Sequence, residues 1–127
     1  MDSIIPKFKK AGYTLNGFNY IGPLNDYKDE PVDIIDCYAM IHDLHYDKII
    51  GVYGEKYPYV HYNRADENFI TNLNSLDKDK LNPVQIFAIN ICVSYFTFKK
   101  IVFAKAENEI EFDSTEIMNA FLKEKPN

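Results

Sequence analysis

Cysteine is scarce in this chain. Two cysteines, Cys37 and Cys92, among 127 residues allow one disulfide at most. A small secreted scaffold stapled by several bridges is thereby excluded, and a hydrophobic core must carry the stability. Basic charge is also short: 14 Lys plus Arg stand against 19 Asp plus Glu, a net charge of −5. Such a balance opposes a phosphate backbone, so nucleic acid is not an expected partner. Long apolar runs are missing as well. The opening MDSIIPKFKK has only Ile4 and Ile5 before Pro6, so no signal peptide is expected. The longest apolar stretch, IFAINICVSYFTF at 86–98, is 13 residues broken by Asn90, Ser94 and Thr97. That falls short of the roughly 20 needed to cross a bilayer, and the stretch reads as a buried or interfacial helix. No internal repeat or low-complexity tract is visible.

Apolar material is plentiful, at 46% of residues with 10 Tyr and 9 Phe. At this length about 65% of the unfolded surface can be buried, so residues 1–127 are expected to form a single domain around one core. Residues 1–30 hold three of the five glycines and no sustained apolar period, and read as a long irregular segment of the kind that usually has a job. After Pro31, the residues Ile35, Tyr38, His42, Tyr46 and Ile49 recur at helical spacing, which predicts a helix over 31–50. Gly51, Gly54 and Pro58 then interrupt, and the tyrosine-rich VYGEKYPYV is a connector with room for one short strand pair. A second helix is expected over 61–75, with Ala65, Phe69, Leu73 and Leu76 on one stripe. Asn82 followed by Pro83 is a cap and first-turn signature for a third, to about residue 104. Asp113 and Glu116 suggest a capping box for a short last helix. The fold class is mainly α.

Reactive groups concentrate in four places: YIGPLN at 20–25, HDLHYD at 42–47, Asp66, and the cysteines. On a helix His42 and Tyr46 share a face, while Asp43 points to an adjacent one. One helix therefore offers a base and a carboxylate in two directions; taken alone, the common reading is a bonded helix histidine and a solvated aspartate. His45 and Asp47 read as surface residues. His42 and His45 at i and i+3 would suit zinc, but no Cys or Glu partner stands at a diagnostic spacing. Cys37 lies about 140° around the helix from His42, which rules out a cysteine–histidine pair on that helix. Cys92 reads as a small buried hydrophobe. YIGPLN is an ordinary Gly-Pro turn by itself, yet it could expose backbone carbonyls that, with one fixed carboxylate, form the hard oxygen cage calcium prefers. Asp66 reads either as a solvated helix charge or as a partner that crosses to His42 and orients its ring.

In order as well as content, these pieces resemble the phospholipase A2 domain carried in the unique N-terminal region of the parvovirus minor capsid protein. FNYIGPLNDYKDEPVD resembles that family's Y-x-G-P-x-N calcium loop and trailing G-E-P-V. HDLHYD matches its H-D-x-x-Y-D helix motif, and YPYVHYNRADENF resembles its segment ending in A-D-x-x-F. The likeness covers residues 12–76, and three motifs at compatible separations are far more specific than a lone H-D pair. Residues 77–127 carry no recognised motif. Secreted phospholipases A2 surround the same H-D with C-C-x-x-H-D-x-C, which here reads Tyr38, Ala39, then Leu44 and His45, so none of those disulfides can form.

The resemblance implies a phospholipase A2-like fold with two antiparallel active-site helices, an N-terminal calcium loop and additional C-terminal helices. It implies that His42 is the general base, Asp66 its orienting partner and Tyr46 a donor toward Asp66. Calcium would be held by the Asp43 carboxylate and the carbonyls of Tyr20, Gly22 and Leu24, with the Gly22 N–H as oxyanion donor. The implied activity is calcium-dependent hydrolysis of the sn-2 ester of glycerophospholipids, on a virion acting at the host endosomal membrane, with the rest of a capsid protein as a further partner. With a net negative charge, membrane binding would lean on apolar residues. Ile21, Leu24 and Tyr27 are the first candidates, joined by Ile4, Ile5 and Phe8 beside the locally basic Lys7, Lys9 and Lys10. The competing readings are a calcium- or lipid-binding module of the same fold without turnover, and a metal-independent partner-binding domain.

Overall fold

The computed structural model describes residues 18, 20–21 and 30–124. Five α-helices follow in order: α1 (Ile34–Tyr53), α2 (Tyr57–Val60), α3 (Arg64–Asn74), α4 (Pro83–Val102) and α5 (Thr115–Glu124), with one 3-10 turn (Lys78–Lys80) before α4. The mainly helical expectation holds.

Local chemistry sets the boundaries. Helix α1 starts three residues later than its pattern suggests because Asp33 caps it: the Asp33 carboxylate accepts the Asp36 N–H at 2.8 Å. Its other oxygen accepts from the Gln85 amide at 2.8 Å, tying the start of α1 to the start of α4. The helix runs through Gly51, which faces open space, and stops at Gly54, whose φ of 97° lies where a side chain would be strained. Asn63 and Asp66 close a reciprocal capping box on α3, and Asn82 and Gln85 close another on α4 with Pro83 in the first turn. The Asp113 carboxylate accepts the Thr115 N–H where α5 begins. The tyrosine-rich connector does not form a strand pair. It becomes the single turn α2, and among the described residues the only bridge of β type is an isolated parallel one between Tyr62 and Lys105.

Helices α1 and α3 run antiparallel: His42 meets Phe69, whereas Tyr46 and Ile49, further along α1, share a cluster with Ala65, earlier on α3. Helix α4 packs against α3, and α5 returns to α1, where the Cys37 thiol lies 3.8 Å from the Met118 sulfur. The core between them gathers Ile35 and Ala39 from α1, Phe69 and Leu73 from α3, and Ala88, Ile89 and Cys92 from α4. Phe18, Tyr20 and Ile21 join that cluster from the N-terminal segment. A buried carboxylate anchors them: Asp36 accepts the Tyr20 N–H at 2.7 Å and the Val32 N–H at 2.9 Å. Charge-assisted bonds of this kind are worth about 1.5–3 kcal/mol each.

Candidate active site

His42 and Tyr46 sit one turn apart on α1, with ring centroids 4.3 Å apart. Asp66 reaches them from the first turn of α3, where its capping role already fixes its carboxylate and the helix dipole favours a negative charge. One carboxylate thus serves two purposes. Asp66 Oδ1 accepts His42 Nε2–H at 2.8 Å and also the Tyr46 hydroxyl, while Oδ2 accepts the Asn63 N–H at 3.3 Å.

The remaining donor was not anticipated. Lys99, near the end of α4, is buried, and its ammonium donates to Asp66 Oδ2 and to the Tyr46 oxygen, each at 2.8 Å, and to the Pro58 carbonyl. All three of its N–H groups are therefore used, and a fully buried carboxylate gains a fully buried counter-charge. A signal for this exists in the sequence. Ala88, Cys92 and Phe96 precede Lys99 at helical spacing, so the inward stripe of α4 ends on a lysine, and a cation on a buried face requires an anion opposite.

These contacts set the protonation states. Burial works to raise the Asp66 pKa, but its bonds and charge attraction to His42 and Lys99 prevail and hold it below the ordinary carboxylate value. Burial works to lower the His42 pKa, and the neighbouring Asp43 and Asp66 carboxylates outweigh it, so the ring is more basic than a free histidine. The Tyr46 hydroxyl is driven up by burial and by the Asp66 charge beside it, and remains a proton donor. With Nε2 committed to Asp66, Nδ1 is the nitrogen left to take a proton from water.

The ring also forms one wall of a cavity of about 430 Å3, within the size range of small-molecule sites. Its lining is chiefly apolar, including Tyr20, Ile21, Phe69, Ile91, Tyr95 and Phe96, while His42, Asp43 and Lys99 are the members that carry or can gain a full charge near neutral pH. Phe69 and Phe96 both pack against the imidazole, at centroid distances of 5.0 and 4.9 Å, and against each other at 5.7 Å.

Of the expected calcium ligands, Gly22 and Leu24 lie outside the described residues. Tyr20 and Asp43 both line the cavity, and Asp43 is one-fifth exposed with Oδ1 at 3.8 Å from His42 Nδ1. A carboxylate and a backbone carbonyl are the donor types a hard cation takes, and Asp43 and Tyr20 offer one of each to the same cavity. Among the described residues no three His, Cys, Asp or Glu side chains converge on a metal position. His45 is not a surface residue: it is buried, its Nε2–H donates to the Ile110 carbonyl, and its ring stacks on Phe112 at 5.5 Å. The chain after α4 folds back over that side of α1, which the α1 sequence alone could not reveal.

Of the membrane-contact candidates, Ile21 is buried in the core and walls the cavity. Leu24, Tyr27, Ile4, Ile5, Phe8, Lys7, Lys9 and Lys10 lie outside the described residues. Both cysteines are free and buried, and burial pushes the Cys37 thiol up to about 11 and Cys92 to about 12. Neither is a nucleophile at neutral pH.

A family model described as a phospholipase A2-like domain matches residues 11–99. Similar proteins include the minor capsid protein VP1 of human bocavirus 2, 40% identical over 70 residues, which is 54% of this chain and 10% of the relative. The minor capsid protein VP1 of bovine parvovirus 1 is 38% identical over 65 residues, 50% of this chain and 9% of the relative. The capsid protein VP1 of porcine parvovirus (strain NADL-2) is 43% identical over 67 residues, 51% of this chain and 9% of the relative. The chain therefore spans about a tenth of the length of these curated relatives. No solved structure matches. With the match reaching from before the loop that carries Tyr20 to Lys99 itself, this chain belongs to the phospholipase A2-like domain family.

Proposed function

We propose that the chain is a calcium-dependent phospholipase A2 that hydrolyses the sn-2 ester of glycerophospholipids, and that residues 1–127 act as one domain. The observation that carries this reading is a single juxtaposition: His42 is bonded through Nε2 to a buried carboxylate and forms a wall of a largely apolar cavity beside Asp43.

In this reading the cavity takes an acyl chain against Phe69, Phe96 and Ile91 and brings the ester to the His42 ring. Nδ1 removes a proton from water as the water attacks the carbonyl carbon, and Asp66 stabilises the imidazolium that forms. His42 then returns the proton to the leaving glycerol oxygen. Tyr46 and Lys99 keep the Asp66 carboxylate fixed while this happens. The Asp43 carboxylate and the carbonyls of Tyr20, Gly22 and Leu24 would hold calcium, and the Gly22 N–H would face the developing oxyanion. Calcium, when bound, supplies positive charge for the carbonyl oxygen and the lipid phosphate.

The relatives are capsid proteins, which supports a place for this chain on a virion; breach of the host endosomal membrane is the purpose proposed for its activity there. Among the described residues no helix is long and apolar enough to cross a membrane, so contact with lipid would be interfacial. Calcium affinity is expected to be modest, about 10⁻⁴ to 10⁻³ M, because one carboxylate and three carbonyls offset only one of the ion's two charges. Vesicle hydrolysis should stop in chelator, return with millimolar calcium and fail with magnesium or zinc. Asp43→Asn should raise the calcium needed for half-maximal rate by about tenfold or more. Full vesicle hydrolysis in excess chelator would refute the calcium role, and calcium-dependent vesicle binding without any fatty-acid release would favour the module without turnover.

A further inference from the structure

Helix α4 presents to solvent a stripe of which the proposed chemistry uses only Ile91. Phe87, Ile91, Tyr95, Phe98 and Ile101 follow one another at steps of three and four, so they share a face. They are 44%, 40%, 58%, 60% and 79% exposed. From residue 87 to residue 98 the exposed positions of α4 include Asn90, Ser94 and Thr97 but no charged side chain, in a chain that is 26% charged. The nearest charges are occupied: Lys99 turns inward to Asp66, and Lys100 pairs with Glu67 at 3.3 Å. A large uncharged apolar face of this kind marks an interaction surface.

Its continuity with the cavity identifies the occupant. Ile91 and Tyr95 are exposed on the stripe and also line the cavity that holds His42. From these observations we propose that the α4 stripe is the surface on which the domain docks to a phospholipid bilayer, with α4 lying in the interface so that a lipid passes alongside Ile91 and Tyr95 into the cavity. The chemistry of the face selects the membrane: with neither cation nor anion on the stripe, docking is driven by apolar burial and is indifferent to anionic lipid. The Tyr95 ring, apolar in body and polar at its tip, suits the headgroup boundary. The inference rests on the phospholipase reading only for the nature of the substrate.

The chain contains no tryptophan, so a tryptophan introduced at one position reports on that position alone. In a His42→Asn background, which leaves vesicles intact, Phe98→Trp emission should shift to the blue on adding phosphatidylcholine vesicles. The half-saturating lipid concentration should change by less than about twofold when phosphatidylserine is included. Leu122→Trp, at an equally exposed apolar position on α5, should show no shift. Phe98→Gln combined with Ile101→Gln should weaken vesicle co-sedimentation by about tenfold or more, from the loss of two buried apolar side chains. Because binding is read without turnover, a chain that docks but hydrolyses nothing would overturn the phospholipase reading and not this one. A shift at Leu122 but not Phe98, binding that requires phosphatidylserine, or no shift at either position would each overturn the docking face. A lipid-independent blue shift at Phe98 that grows with protein concentration would assign the face to a second copy of the chain instead.

Discussion

Replacing His42 by Asn should reduce the hydrolysis rate by about 10² to 10⁴-fold, the usual contribution of a positioned general base, while circular dichroism at 25 °C stays unchanged. Asparagine is smaller than histidine and has no ring nitrogen to reach Asp66, so one bond to that carboxylate is lost, at a cost of about 1.5–3 kcal/mol. The carboxylate keeps Tyr46, Lys99 and the Asn63 N–H as donors, so no charge is stranded. The rate loss at this position therefore comes without a stranded buried charge. That does not hold at Asp66. Asp66→Asn should be severe for turnover too, but it also removes the counter-charge of a buried lysine and half of the α3 capping box. Steady-state rates set beside urea unfolding curves for the two variants check this contrast. An active His42→Asn variant would remove the base from the proposed mechanism.

Lys99→Met should produce the largest loss of stability, about 3–5 kcal/mol, the range seen when one member of a buried pair is deleted and the other is left charged. Methionine fills the channel that the lysine stem occupies, so the effect comes from the ammonium and not from a cavity. Its three acceptors, Asp66, Tyr46 and Pro58, lie on three different elements, α3, α1 and α2, so their loss should loosen the site as a unit. In a double-mutant cycle, Asp66→Asn with Lys99→Met should cost less than the sum of the single changes, because removing both charges leaves neither uncompensated. Equilibrium unfolding in urea measures all four corners. Additive costs would show that the two charges do not stabilise one another.

The contrast between His42 and Lys99 explains what the sequence could convey. His42, Asp43, Tyr46 and Asp66 lie within motifs whose spacing is set by one helix or by a cap. Asn63 and Asp66 three residues apart specify both a helix start and the direction of a carboxylate, and local rules of that kind are readable along the chain. The ends of α1 were harder, because Asp33 rather than the earlier Pro31 starts the helix and Gly51 is tolerated inside it. Lys99 and His45 needed tertiary knowledge. Lys99 stands 33 residues from its carboxylate, and His45 is buried only because the Ile110 carbonyl and Phe112 fold back onto it from 65 residues away. Ile21 looked like surface for the same reason: the apolar residues that cover it come from α1, α3 and α4. Nothing in the sequence of the first 30 residues announces that Asp36 will bind the Tyr20 backbone.

The central claim, that this domain cleaves the sn-2 ester of a phospholipid with His42 as base, is tested most directly by identifying the product. The purified chain would be incubated in millimolar calcium with vesicles of a phosphatidylcholine bearing different fatty acids at sn-1 and sn-2, in ¹⁸O-labelled water, and the released acid analysed by mass spectrometry. The account predicts the sn-2 acid carrying one ¹⁸O atom, a matching 1-acyl lysophospholipid, and neither product from the His42→Asn variant. Release of the sn-1 acid, undiminished release by the His42→Asn variant, or no release by a folded chain bound to the vesicles would contradict it.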